Sequence, residues 1–146
     1  MVKKSSKGGW LFKEEPSCYS YADLEKDGSA WWTGVTNALA RKHLRSMQVG
    51  DRVLYYHTGK ERQIVGEMRV VDGPTQEPES DDPKSVSVKV EPVKRWDRPV
   101  TLEEIKADSA FADWELVRIS RLSVMPVSAD QWQRLEGLSQ ARRKDA

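Results

Sequence analysis

The sequence predicts an α+β fold, a small mixed β-barrel of about five or six strands with short helices flanking it. Its extended segments alternate apolar and polar residues, which is typical of antiparallel strands with one buried face. Val86, Val88 and Val90, for example, alternate with Ser87 and Lys89. The helices between such segments are short, and this pattern favours a barrel over a sheet of repeated βαβ units.

The chain of 146 residues predicts one domain, because a chain of this length buries a substantial core. We place the domain at residues 9–138, between a disordered N-terminal tail at 1–8 and a frayed C-terminal tail at 139–146. The single cysteine, Cys18, excludes an intramolecular disulfide. No apolar run approaches the roughly 20 residues of a membrane helix, and the N-terminus lacks the apolar stretch of a signal peptide. We therefore expect a cytoplasmic protein and, since no heptad seam argues for assembly, a monomer.

The first predicted elements are a strand and a short helical turn. Residues 9–15 (GWLFKEE) form the strand, which ends at Pro16 because proline cannot continue a hydrogen-bonded ladder. Ser20 to Leu24 predicts the helical turn, and the Asp27-Gly28 pair predicts the turn that follows it.

A capped helix and a strand are predicted next. Asn37 is a good N-cap, because its side chain can satisfy an orphan N–H group of the first helical turn. Gly50 is expected to end this helix. The apolar face of the helix comprises Ala40, Leu44 and Met47. The strand that follows alternates, with Val53, Tyr55 and His57 on one side and Leu54 and Tyr56 on the other.

The next predicted strands are separated by an acidic stretch. Residues 63–71 form a strand in which Gly66 indicates a bulge or the close approach of another group. Residues 73–83 are rich in Pro, Asp, Glu and Ser, and they predict a solvated loop where we expect disorder. The alternating valines of residues 86–90 then predict another strand.

Two capping boxes organise the C-terminal part. Thr101 opens a short helix that runs through Lys106, and Ser128 opens the last helix. The segment between them, residues 115–127, contains the next extended run. Gly137 is expected to end the last helix, whose apolar face carries Trp132 and Leu135.

Charge is unevenly distributed along the chain, although the formal net charge is only +1. Residues 31–60 contain five Lys or Arg residues and one acid, Asp51, whereas residues 72–82 contain five acids and no base. A polyanionic partner should therefore meet the first region and avoid the second. The small net charge predicts that any grip on a phosphate backbone is modest and salt-sensitive.

The sequence lacks the common motifs of enzymes and metal sites. It has neither type of Gly-rich phosphate loop and no Gly-x-Ser-x-Gly nucleophile elbow. The plausible metal ligands besides carboxylates are His43, His57 and Cys18, and their spacing does not predict a zinc site. We therefore expect no catalysis, no metal and no cofactor.

Several motifs together resemble the EVE domain family. They occur in the family's order and cover nearly all of residues 9–135. The matching blocks are W-L-F-K-E-E-P (10–16), W-x-G-V-x-N (32–37), A-R-x-x-L-R-x-M-x-x-G-D-x-V-L-x-Y-H (40–57), I-V-G (64–66), P-V-T-L-x-x-I-K (99–106) and R-L-S-V-M-P-V (121–127). EVE domains belong to the PUA-like superfamily of small β-barrels and are similar to the YTH domains that read methylated adenine in RNA. The resemblance implies a non-enzymatic reader that takes a modified base, either a modified cytosine in DNA or a modified base in RNA, into a pocket.

The resemblance also implies which residues line that pocket and which contact the nucleic-acid backbone. Trp32 would offer an aromatic face, Asn37 an amide, and His57 and Thr58 polar groups for a base edge. The predicted pocket residues are Lys13, Glu14, Trp32, Gly34, Val35, Asn37, His57 and Thr58. The predicted backbone contacts are Arg41, Lys42, Arg45, Arg118 and Arg121.

Four positions depart from the family pattern. Thr36 stands where a basic residue is common and Lys42 where an asparagine is common, so one positive charge is lost and one is gained for the phosphate contacts. Glu14 and Thr58 each replace a serine. Glu14 changes which base edge the pocket accepts, because an ionised carboxylate only accepts hydrogen bonds.

Structural roles compete with these binding roles. Trp10, Trp114 and Trp132 fit the core better than a site, because each lies in an apolar strand or helix pattern. On its strand pattern alone, Trp32 is evenly balanced between platform and packing. A histidine at a strand end, such as His57, is more often a satisfied structural residue than a reader.

Two other functions are compatible with the sequence. The first is a nucleotide-acting hydrolase with His57 as general base and Glu14 or Glu15 as its partner. The second is a sensor domain whose pocket takes a free nucleoside or another small molecule.

Overall fold

The structure, a computed structural model, describes the backbone of residues 7–145 and the side chains of residues 8–140. The strands within this range are β1 (Lys7–Glu14), β2 (Ala30–Trp32), β3 (Arg52–His57), β4 (Gln63–Thr75), β5 (Ser87–Thr101) and β6 (Val124–Ser128). The helices are α1 (Tyr21–Asp27), α2 (Ala38–Arg45), α3 (Leu102–Lys106), α4 (Glu115–Arg118) and α5 (Ala129–Asp145), with a 3₁₀ turn at Ser109–Phe111.

The six strands form one curled half-barrel sheet in the order β2-β5-β4-β3-β1-β6. Strands β1 and β3 pair in parallel, and the other neighbours are antiparallel. A parallel pair needs a long crossover, which here contains α1, β2 and α2. The predicted mixed α+β class with about six strands is therefore confirmed.

The N-terminal end of β1 packs against the last helix through two glycines. A Cβ atom on Gly8 would lie 2.6 Å from the Ser128 carbonyl oxygen, and one on Gly9 would lie 2.8 Å from the Trp132 ring. Only residues without side chains allow so close an approach. Residues 7 and 8, predicted as part of a disordered tail, thus belong to β1, and residues 1–6 lie outside the described residues.

The last helix is longer than predicted. It passes Gly137 and continues to Asp145, so the predicted end at Gly137 is wrong. A glycine inside a helix costs only about 1 kcal/mol, which tertiary contacts readily offset. The hydroxyl of Ser139 donates to the Arg98 carbonyl at 2.6 Å, which fixes this part of α5 to β5. Residues 139–145, predicted as part of a frayed tail, are therefore helical, and residue 146 lies outside the described residues.

The boundaries of α2 are partly as predicted. Asn37 is the N-cap, and the apolar face formed by Ala40, Leu44 and Met47 is buried. The helix ends at Arg45 with Ser46 as its C-cap, however, so Gly50 does not end it. Gly50 instead lies in the turn before β3, where its N–H donates to the Val70 carbonyl at 2.8 Å.

Two segments of the second half differ from the predicted pattern. The extended run predicted within residues 115–127 is β6, which begins at Val124, and residues 115–118 at the start of that segment form one helical turn. Strand β4 also extends past residue 73 to Thr75, which pairs with Ser87 of β5. Residues 76–86 form the hairpin loop between the two strands, and we call this segment the acidic loop.

The predicted core tryptophans are buried. Trp10, Trp114 and Trp132 are at most 4% exposed, which confirms their packing role. Gly66 marks a register break, and a Cβ atom there would lie 2.8 Å from the Tyr21 ring. Both interpretations of this glycine, a bulge and a close approach, are therefore confirmed.

Candidate functional site

A cavity of about 290 Å³ opens between the end of β1 and strand β2. Its lining residues are Glu14, Cys18, Tyr19, Ala30, Trp31, Trp32 and Thr33. Cavities of about 350 and 380 Å³ elsewhere on the molecule have no tryptophan among their lining residues, and a smaller one of about 150 Å³ has Trp96 alone. The volume is close to the lower end of the roughly 300–1,000 Å³ typical of small-ligand pockets. The lining thus includes two tryptophans and a glutamate, residue types that can hold one flat heterocycle.

The two adjacent tryptophans contribute to this cavity in different ways. Trp31 is 39% exposed, whereas Trp32 is 6% exposed. The Trp32 ring packs 5.0 Å from Phe12 and, edge to face, 5.3 Å from Tyr55. Neighbouring strand residues point to opposite faces, so the core fixes one indole and solvent surrounds much of the other. Trp32 forms a rigid part of the wall, and Trp31 supplies an accessible aromatic face.

Two tyrosines hold the segment after β1 in place against β3. The hydroxyl of Tyr55 donates to the carbonyl of Tyr19, and the hydroxyl of Tyr19 donates to the Asp27 carboxylate at 2.7 Å. Burial raises the pKa of both phenols, so both stay protonated as hydrogen-bond donors at neutral pH. The cavity wall at Tyr19 is therefore anchored rather than loose.

Glu14 supplies a carboxylate to the cavity wall. It is half-buried, and its Oε2 accepts a hydrogen bond from the Glu15 backbone N–H at 3.2 Å. Burial raises the pKa of Glu14 above that of an ordinary glutamate. When ionised, this carboxylate can accept hydrogen bonds from an amine on a bound ring.

The chain leaves the cavity through a turn at Gly34 and Val35. Gly34 has a φ of 79°, a conformation that favours glycine, and its N–H donates to the Glu77 carboxylate at 2.9 Å. Val35 is buried, and its carbonyl accepts from the Arg41 Nε at 2.8 Å. Both predicted residues thus shape the turn next to the cavity instead of lining it.

Asn37 is committed to helix capping. Its Oδ1 accepts the Ala40 backbone N–H at 2.9 Å, as the sequence predicts. The residue is exposed, and the capping bond uses only its oxygen. The role of its amide nitrogen toward a base stays a prediction.

His57 is buried and both of its ring nitrogens are engaged. The Tyr21 backbone N–H donates to Nε2 at 3.1 Å, which places the ring proton on Nδ1. Nδ1 lies 2.8 Å from Glu61 and donates to that carboxylate. A hydrogen bond from His57 to a ligand, or its use as a general base, would require one of these bonds to break. The geometry favours the structural interpretation.

Lys13 and Thr58 also lie away from the cavity wall. The Lys13 ammonium donates to the Ser120 carbonyl at 2.7 Å and lies 5.8 Å from the Tyr56 ring, on the face of β1 opposite Glu14. Burial lowers the pKa of Lys13. The hydroxyl of Thr58 donates to Glu15 at 3.3 Å. Of the eight predicted pocket residues, Glu14 and Trp32 line the cavity.

The two arginines predicted on α2 contact the acidic loop. The Arg41 guanidinium pairs with Asp82 at 2.9 Å, and its side chain is 13% exposed. Arg45 donates to the Lys84 carbonyl at 2.6 Å. The structure thus brings the basic and acidic regions together, and the expectation that a polyanionic partner meets the first and avoids the second stays a prediction.

The other predicted backbone contacts are exposed but dispersed. Lys42 lies on the solvent side of α2. Arg118 is in the last position of α4, not on a strand, and its Nε donates to the Asp113 carbonyl at 2.8 Å. Arg121 is exposed in the turn before β6. Their contact with a nucleic acid stays a prediction.

Sequence reasoning missed six residues of this region. Five of them line the cavity, namely Cys18, Tyr19, Ala30, Trp31 and Thr33, and the sixth, Glu77, bonds to the Gly34 turn. The position of Tyr19 directly before the Ser20 helix cap is a weak local signal for a fixed side chain. The Glu77 contact spans 43 residues and has no local signal.

The part of the chain that the structure describes has no cluster of three or more His, Cys, Asp or Glu side chains placed to hold a metal ion. Among the helices described, none combines the length and apolar character needed to cross a membrane.

Sequence comparison relates the chain to a known family. A family model for the EVE domain matches residues 9–138. Thymocyte nuclear protein 1 from Mus musculus is 31% identical over 157 residues, which cover 84% of this chain and 70% of the mouse protein.

Structure comparison gives the same relationship. An NMR structure of a protein from Rhodopseudomonas palustris superposes with a TM-score of 0.86 at 35% identity, covering 92% of this chain and 94% of the other. The crystal structure of human THYN1 protein in complex with 5-methylcytosine-containing DNA superposes with a TM-score of 0.82 at 27% identity, covering 90% and 96%.

Proposed function

This chain belongs to the EVE domain family, and on that premise we propose that it is a non-enzymatic module that binds nucleic acid by holding one modified base in the cavity beside Trp31 and Trp32. The observation that carries the proposal is a cavity of about 290 Å³ whose lining residues include Trp31, Trp32 and Glu14. The relationship to a human protein crystallised with 5-methylcytosine-containing DNA supports nucleic acid as the partner.

Aromatic stacking supplies the main attraction in this proposal. A base inside a duplex is inaccessible, so the target base must be flipped out or already single-stranded. Stacking on an aromatic side chain then contributes roughly 1–3 kcal/mol per base. Trp31 provides the exposed face for this contact, and the core holds Trp32 rigidly beside it.

Glu14 gives the cavity a preference among bases. A carboxylate accepts a hydrogen bond from the exocyclic amine of cytosine. Thymine and uracil present a carbonyl at the same position and would meet repulsion from an ionised Glu14. The half-buried carboxylate in the wall therefore favours an amino-bearing base such as a modified cytosine.

Recognition of the modification is expected to be selective but not absolute. Burying one methyl group contributes only about 0.8 kcal/mol. Discrimination by one methylene-sized group is bounded at roughly 10- to 200-fold in a hydrophobic pocket. We propose modified cytosine in DNA as the first ligand to test and a modified base in RNA as the second.

The rival functions make different use of the same residues. A hydrolase using His57 would need a ring nitrogen that is now bonded to Tyr21 or Glu61. A free-nucleoside sensor would use the same cavity without phosphate contacts, and its binding would be insensitive to salt.

Titration with short single-stranded oligonucleotides tests the proposal. The set pairs cytosine with 5-methylcytosine and adenine with N6-methyladenine, in both DNA and RNA, and includes the free nucleosides. Intrinsic tryptophan fluorescence, to which Trp31 contributes, reports binding. Tighter binding of one modified oligonucleotide than of its unmodified partner supports the reader function. Equal or absent binding across the set contradicts it, and salt-independent binding of a free nucleoside favours the sensor.

A further inference from the structure

We propose that the Gly34 N–H and the Arg41 guanidinium form a phosphate-binding subsite next to the base cavity, and that Glu77 and Asp82 of the acidic loop occupy it until nucleic acid displaces them. This inference rests on the proposed function. It identifies phosphate as the part of the nucleic acid that the Gly34 turn would bind.

The first part of the subsite is the backbone amide of Gly34. Its N–H donates to the Glu77 Oε2 at 2.9 Å, and the positive φ of 79° turns this amide toward the acidic loop. Carboxylate and phosphate oxygens accept the same kind of charge-assisted hydrogen bond from a backbone N–H. The Glu77 carboxylate therefore occupies a position where a phosphate oxygen would make an equivalent bond.

The second part is the guanidinium of Arg41. Its Nε donates to the Val35 carbonyl at 2.8 Å, which places the group beside the Gly34 turn. Its Nη2 contacts Asp82, with Nη2 and Oδ2 2.9 Å apart. A planar guanidinium binds carboxylate and phosphate with the same geometry. The Lys84 backbone N–H and the Arg41 side chain hold the pKa of Asp82 below its usual range, so Asp82 stays ionised at neutral pH.

The acidic loop is braced in the position that makes these contacts. The Glu77 N–H donates to the Ser85 hydroxyl at 3.2 Å, and the Asp82 N–H donates to the Ser80 hydroxyl at 3.0 Å. Arg45 donates to the Lys84 carbonyl from outside the loop. The two carboxylates are thus presented together on one preformed segment.

The subsite adjoins the base cavity along the chain. Thr33 lines the cavity, and Gly34 is the next residue. A nucleotide whose base stacks on Trp31 would bring its phosphate toward this turn. Exchange of the carboxylates for phosphate costs the same free energy for modified and unmodified strands, so it lowers the affinity for both. The acidic loop therefore lowers affinity, and the choice between bases is left to the cavity.

The test compares two double variants of equal charge. Glu77→Gln with Asp82→Asn weakens the two contacts while keeping side-chain shape. Glu79→Gln with Asp81→Asn removes two exposed acids of the same loop as a matched control. Affinity for a 5-methylcytosine oligonucleotide and for its unmodified partner is measured at several salt concentrations.

We expect the Glu77→Gln, Asp82→Asn variant to bind both strands about 5-fold or more tighter than the control variant, as is typical of the release of a competing interaction. Its salt dependence should steepen by about 0.7 for each additional phosphate of a single strand that the protein neutralises. Equal affinities and equal salt slopes in the two variants overturn the inference. The single variant Asp82→Asn, which keeps an acceptor for the Lys84 N–H, repeats the comparison if the double variant fails to fold.

A second readout needs no nucleic acid. Inorganic phosphate is titrated while the Gly34 amide resonance is followed by NMR. A shift at lower phosphate concentration in the Glu77→Gln, Asp82→Asn variant than in the control supports the subsite. The same response in both variants overturns it. The phosphate titration does not depend on base binding. It therefore tests the subsite even if no oligonucleotide binds and the proposed reader function is wrong.

Discussion

The cavity and the neighbouring Gly34 turn were both expected to hold parts of one nucleotide, yet they are prepared for it in different ways. In the cavity, Trp32 is fixed by Phe12 and Tyr55, and Trp31 already exposes an aromatic face. In the turn, the polar groups are already bonded to Glu77 and Asp82.

The difference separates selectivity from affinity. A preformed aromatic wall binds a flat ring without losing contacts of its own, so differences between bases appear directly in the binding free energy. A paired arginine must exchange one anion for another, so it contributes little net affinity. We therefore expect the cavity to decide which base binds and the turn to adjust how tightly.

The largest expected effect is on stability, from Trp32→Ala. Because the Trp32 ring is 6% exposed and packs on Phe12 and Tyr55, its loss should lower the free energy of unfolding by about 3–5 kcal/mol. Urea denaturation measures this change as a lower midpoint at an unchanged slope. A loss below about 1 kcal/mol would mean that Trp32 is a free platform rather than a packed wall.

The next effect is on binding, from Trp31→Ala. Removal of the exposed ring should weaken the binding of the modified oligonucleotide by about 1–3 kcal/mol, the stacking contribution of one base. Trp31→Phe is the matched control and should keep most of the affinity, since it retains an aromatic face. Unchanged affinity in Trp31→Ala would remove Trp31 from the site, and this outcome is readable in isothermal calorimetry.

Glu14 should make recognition of cytosine dependent on pH. Burial raises the pKa of Glu14, so its carboxylate is lost as pH falls through a value above that of an ordinary glutamate, about 4.3. As Glu14 is protonated, the binding free energy for a cytosine base should weaken by about 1–3 kcal/mol, the contribution of one base-edge contact. Glu14→Gln should weaken binding at neutral pH and abolish this pH dependence. A pH profile shared by both proteins would exclude Glu14 as the reader of the amine.

The smallest effect distinguishes capping from reading at Asn37. Asn37→Ala should lower the free energy of unfolding by about 1 kcal/mol, because the Ala40 N–H loses its acceptor. Asn37→Asp keeps the cap and should keep the stability. If Asn37→Ala loses affinity but Asn37→Asp does not, the cap acts only by shaping the turn. A loss of affinity in both variants would show that the amide nitrogen contacts the base.

Features set by nearby residues were predictable from the sequence. The caps at Asn37, Thr101 and Ser128 depend on residues two to three positions away, and all three are present. Helix ends were less predictable: Ser46 ends α2 before Gly50, and α5 passes through Gly137. A glycine ends a helix only where packing does not continue it, and packing is a property of the whole fold.

Site residues were predictable from the sequence only where they lie in local sequence motifs. Glu14 and Trp32 were identified and line the cavity. The engagement of His57 by the Tyr21 N–H spans 36 residues, and the pairing of Arg41 with Asp82 depends on how the β4–β5 hairpin folds over α2. Local pattern carries no information about such long-range contacts, so these residues were expected to be available to a ligand.

Photocrosslinking tests the central claim most directly, the claim that one base enters the cavity beside the two tryptophans. An oligonucleotide carrying 5-iodocytosine at the target position is bound and irradiated, and the crosslinked residue is identified by mass spectrometry. The account predicts a crosslink at Trp31 or Trp32, within the tryptic peptide 27–41. A crosslink confined to residues outside the cavity wall would contradict it.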